Sequence, residues 1–140
     1  MSIDNKNRKV IQWLRISYWA GAFLDGVSFI QMAFPRFSAK MMGAAVEVGV
    51  DFVFAMHLGA SLMLAWTVLL IWADRKPLER ADILLITLII VGINIPVMIN
   101  AVVDGLLPLS TIGPQIILCS LFFVLYAFMY WKAKRIRSNG

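Results

Sequence analysis

The chain has 140 residues, of which 61% are hydrophobic and 15% charged, and its mean hydropathy is +0.80. About a quarter of the residues of a soluble domain are charged, so this balance excludes a soluble globular protein and points to a single-domain integral membrane protein. The net charge of +5 resides in lysines and arginines of the two ends and one short loop, which excludes nucleic acid as the partner and makes these residues topology signals.

The first predicted span runs from about Val10 to Phe34 and stops at Pro35, which cannot continue the helical bonding pattern. Residues 1–9 read as a short polar tail. Ala20-Gly21-Ala22 mimics a signal-peptidase site, but Gln12 and Arg15 interrupt the would-be hydrophobic region and apolar character resumes beyond it, so no cleavage is expected. Arg15 can snorkel toward the interface beside Trp13, Tyr18 and Trp19. Inside this span lies Asp25, a carboxylate whose transfer into hydrocarbon costs about 3 kcal/mol or more.

Residues 36–50 predict either a short amphipathic surface helix, with Phe37, Met41 and Met42 against Arg36, Lys40 and Glu47, or an irregular loop. The second span, Asp51 to Ala73, opens on an acid suited to a helix N-terminus and carries the single histidine, His57. The charged turn at residues 74–81 makes spans two and three antiparallel neighbours. Span three, Asp82 to Asp104, is interrupted by Gly92, Asn94, Pro96 and Asn100. Pro96 lacks the amide that would bond the Gly92 carbonyl, which predicts a kink there. Span four, Thr111 to Trp131, has Pro114 in its first turn, where proline is tolerated.

Orientation follows from eleven Lys and Arg residues in the N-terminal tail with Arg15, the loop at 74–81 and the C-terminal tail, against two, Arg36 and Lys40, in the first loop. The positive-inside rule then places both termini in the cytoplasm. The predicted architecture is an all-α, up-down-up-down bundle of four transmembrane helices in the cytoplasmic membrane. All five tryptophans fall in the cytoplasmic halves of their spans.

Counted from the outer ends at about 1.5 Å per residue, Asp25, His57, Asn94 and Asn100 fall at similar depths, with Gln115 following the same trend. Helical spacing adds Ser28 to the face of Asp25 and Ser61 to that of His57. If these stripes converge, Asp25, His57, Asn94, Asn100, Gln115, Ser28 and Ser61 line an outward-facing polar cavity. A facing Asp25–His57 pair would titrate as one coupled unit, which suits proton-linked binding or transport. The alternative for the amides and hydroxyls is interhelical hydrogen bonding worth about 1 kcal/mol each. Asp25 could likewise serve only as a structural acceptor.

Catalytic and cofactor signatures are lacking. Ser, His and Asp lie near one depth, but no nucleophile elbow accompanies them, and there is no HExxH, CxxC or glycine-rich phosphate loop. No cofactor or metal is expected, and the single Cys119 inside an apolar run reads as a small hydrophobe. The expected function is binding of a small or lipophilic molecule, with proton-coupled transport as its extension. A non-catalytic subunit or scaffold, as a homo-oligomer or within a larger membrane complex, is the alternative, with Gly21, Gly59, Ala60 and Gly92 as small-residue contact points. An intramembrane enzyme acting on a lipid or quinone through His57 is a third.

Four helices with an acid in the first resemble the layout of the small multidrug-resistance transporters. The stretch SYWAGAFLDGVSF lacks the motif in which that family carries its acid, and the strong charge bias opposes dual topology. Chain length and loop pattern are similar to DoxX-like four-helix proteins. Neither likeness rests on a functional motif, so neither assigns residues a role.

Overall fold

The computed structural model describes residues 2–41 and 48–138, with the side chains of residues 8–40 and 48–138. These residues form α1 (Ser2–Ala33), α2 (Pro35–Met41), α3 (Val50–Asp74), α4 (Asp82–Val103) and α5 (Leu109–Ser138), with no strand among them. The boundaries differ from expectation at the ends. Residues 2–9, read as a polar tail, are the first turns of α1, since no proline or glycine interrupts the chain before Gly21. The basic segment after Trp131 likewise continues α5 to Ser138. Because α5 starts two residues earlier than predicted, Pro114 sits in its second turn.

The segment after span one takes the helical alternative over its first part. Pro35 begins α2, where its missing N–H would have had no partner. The Phe37 and Ser38 amides donate to the Phe34 carbonyl at 3.1 and 3.0 Å, and the Ser38 hydroxyl donates to the Gln31 carbonyl. Met42 and Glu47 lie outside the described residues. Asp51 falls in the first turn of α3, as its charge suggested. Pro96 lies inside α4, which is assigned as one helix from Asp82 to Val103.

Three helices, α3, α4 and α5, are long and apolar enough to cross a membrane; α1, with Arg15, Asp25 and Gln31 in its length, is not among them. Between 11% and 17% of each apolar stretch is buried inside the chain. The remaining surface has to meet lipid or another protein.

The chain divides into two compact units. One takes in α1 up to Ser17 and everything from Ala73 onward; the other is Tyr18–Trp72. In the first, Leu14, Leu84 and Ala133 are fully buried, with Tyr126 and Met129 almost so. Tyr126 meets Phe122 edge to face, with ring centroids 5.4 Å apart. Between α4 and α5, the Phe123 ring fills the notch at Gly92, where an added Cβ would lie 3.1 Å from a ring carbon. Arg137 pairs with Asp82 at 3.1 Å, so these two contacts run in opposite order along the helices, which are antiparallel.

The end of α4 forms a Schellman motif. Gly105 has φ +69°, its amide donates to the Val102 carbonyl at 3.1 Å, and the Leu106 amide donates to the Ala101 carbonyl at 3.0 Å. Open space around Gly105 leaves the left-handed backbone as the only obstacle to a side chain. Gly105→Ala should therefore lower stability by about 1 kcal/mol, read as a fall in the thermal midpoint in detergent, and an unchanged midpoint would reject the assignment.

In the second unit, Tyr18 and Leu70 are fully buried, with Ala22 and Ala60 close to it. The Met32 sulfur of α1 lies over Gly59 of α3, 2.9 Å from where a Cβ would stand. A side chain at position 59 would make the flexible end of Met32 shift aside.

Candidate functional site

Within the second unit, Met32 of α1 meets Gly59 of α3. Asp25 stands seven residues from Met32, on the same stripe of α1 as Ser28, and His57 two residues from Gly59. At ~1.5 Å per residue, Asp25 lies about 10 Å from the level of this contact and His57 about 3 Å, so the two do not face each other.

This register replaces the facing Asp25–His57 pair that counting from span ends suggested. The count assumed that Phe34 and Asp51 share a level, which would set Met32 against Val53, whereas Met32 meets Gly59. No hydrogen bond or ion pair among the described residues joins the two side chains.

Burial separates the candidates further. Asp25 and Ser28 are half-buried, while His57, Ser61, Asn94, Asn100 and Gln115 are exposed. The Ser61 hydroxyl donates to the Leu58 carbonyl of its own helix at 2.7 Å. Ser17, Thr67, Thr87 and Ser120 behave in the same way, each donating to the carbonyl four residues earlier at 2.8 to 2.9 Å. Their polarity is absorbed locally. Asn100 and Gln115 come level with each other across α4 and α5, since Gly92 meets Phe123 and both pairs of numbers sum to 215; both amides point to the exterior surface.

Asp25 stands apart. Among the described residues it makes no hydrogen bond or ion pair, yet it is held half-buried in the middle of a long helix. Gly26 beside it has open space where a side chain would be. No group of three or more His, Cys, Asp and Glu side chains among the described residues could hold a metal ion.

The polar contact that sequence reading missed is at the other end of the helix. Arg15 does not simply snorkel: its Nε and Nη2 donate to the two carboxylate oxygens of Asp74 at 2.9 and 3.1 Å, a bidentate fork. The available signal was an acid opening an otherwise basic loop on the side where Arg15 was expected. Close by, Lys76 donates to Glu79 at 2.8 Å and holds that carboxyl below its ordinary range.

Comparison with protein-family models, with curated proteins and with solved structures finds no match to this chain.

Proposed function

We propose that this chain is a four-span membrane protein of the cytoplasmic membrane, with both termini in the cytoplasm, that binds a small lipophilic cation at Asp25. The observation that carries the reading is the Asp25 carboxylate itself, half-buried and without a partner among the described residues. An acid kept at such a position marks a ligand or ion pathway.

The topology draws support from contacts at one end of the first unit. Arg15 of α1 meets Asp74 at the end of α3, and Arg137 near the end of α5 meets Asp82 at the start of α4. The N-terminal half of α1, the loop at 75–81 and the C-terminal half of α5 therefore share an end, and they carry most of the basic residues. An even number of crossings between them accounts for this, with α1 as the fourth span.

The purified protein in mild detergent should show a higher thermal midpoint with tetraphenylphosphonium, and Asp25→Asn should fold normally but lose that shift. No shift in the parent protein, or an equal shift in Asp25→Asn, overturns the assignment. If the response to this cation is proton-linked, it varies with pH in the parent and not in Asp25→Asn.

A second reading has its own observation. His57, Asn94, Asn100 and Gln115 are exposed on apolar helices, where amides and imidazoles favour hydrogen bonds to a neighbouring helix. A non-catalytic subunit of a larger membrane complex would use them so, and stoichiometric co-purification of one membrane partner, lost in Asn94→Leu/Asn100→Leu, would establish it.

A further inference from the structure

The first unit carries a groove between α1 and α5 of about 180 Å³, lined by Val10, Trp13, Leu125, Phe128, Met129 and Lys132. Five of its six walls are apolar, and the one charged group is the ammonium of Lys132. A narrow apolar groove with one cation at its side suits a stretch of acyl chain rather than a folded partner's side-chain cluster.

The charge around the groove selects the headgroup. The Lys132 Nζ sits 4.2 Å from the centre of the Phe128 ring, which holds one side of the ammonium by cation–π attraction and leaves N–H donors for an oxygen ligand. Among the residues with described side chains, the acids at this end are engaged: Asp74 with Arg15, Glu79 with Lys76 and Asp82 with Arg137. Arg8, Lys9 and Lys134 are exposed, and Arg135 lies over Trp131. Among these side chains positive charge is in excess at this end of the unit. We infer that this groove holds one anionic phospholipid, its acyl chain against Val10, Trp13, Leu125, Phe128 and Met129 and its phosphate on Lys132.

The inference rests on the membrane reading of the chain but not on the role of Asp25. It makes Lys132 a specific ligand rather than one charge in a diffuse basic collar. A diffuse collar would respond equally to the loss of any of its members, because each lysine near an anionic surface contributes alike. A built site responds to Lys132 alone.

The test uses a variant that keeps Trp13 as its single tryptophan, with Trp19, Trp66, Trp72 and Trp131 changed to Phe, reconstituted in bilayers containing acyl-brominated phosphatidylglycerol or phosphatidylcholine. Quenching of Trp13 should reach half-saturation at an about fivefold lower fraction of the anionic lipid. Lys132→Gln should abolish that preference, and Lys134→Gln, with the same loss of charge, should keep it. Equal quenching by the two lipids, or equal effects of the two lysine changes, overturns the inference and leaves the membrane reading intact. Absence of quenching by either lipid overturns both. Should the tryptophan variant fold poorly, native mass spectrometry of the parent protein, Lys132→Gln and Lys134→Gln from mixed-lipid micelles answers the same question, with one retained phosphatidylglycerol expected in the first and third and none in the second; any other pattern rejects the site.

Discussion

Arg15→Gln is expected to lower the thermal midpoint in mixed micelles more than Asp74→Asn does. The asymmetry follows from exposure. The Asp74 side chain is 10% exposed and that of Arg15 57%, so removing the arginine leaves an almost buried carboxylate without its bidentate counter-ion. Removing the aspartate charge leaves a guanidinium that water and headgroups can solvate. The double variant should be less destabilised than Arg15→Gln alone, because no charge is then left buried. Equal costs for the two single changes would show the fork to be a surface contact of little energetic weight.

The contact of Met32 with Gly59 separates what could be read in the sequence from what could not. Helix type and apolar character were legible at α3, α4 and α5 because long apolar runs between charged turns admit few alternatives. The start of α3 at an acid and the proline at the head of α2 followed from backbone chemistry alone. Asp25 stood out in the sequence because a carboxylate inside an apolar run is costly to bury wherever it points. Its company did not. Depth counted from span ends assumes that neighbouring helices end together, and the contact of Met32 with Gly59 takes His57 out of level with Asp25. Nothing in the sequence distinguishes Met32 from the other methionines. Gly92 illustrates the same point. The sequence offered it as part of a kink with Pro96, whereas its place in the structure is the notch that receives Phe123. Ser61 was grouped with His57 by spacing, yet its hydroxyl turns back to its own helix, an option that spacing does not reveal.

Packing at the Arg15 end sets the second large effect. Leu84→Ala should cost about 2 kcal/mol, while Ile93→Ala on the same helix should cost less than about 0.5 kcal/mol. Leu84 is fully buried and Ile93 is 61% exposed. In a soluble protein a buried leucine loses both its transfer energy from water and its packing. Here the unfolded helices remain in micelle or lipid, so apolar surface gains nothing by leaving water and the packing contribution stands alone. A void of roughly 80 Å³ at ~24 cal/mol per Å³ gives the figure of about 2 kcal/mol. Leu84→Met, which nearly conserves volume, should stay below about 1.5 kcal/mol. Equilibrium unfolding of the three variants in the same micelles decides the point. A cost near 4 kcal/mol for Leu84→Ala would mean that this end of α4 is exposed to water on unfolding and lies outside the bilayer. Equal costs at Leu84 and Ile93 would mean that Ile93 is covered in the assembled protein, and the α4 face that bears Asn94 would then be an interface rather than a lipid-facing surface.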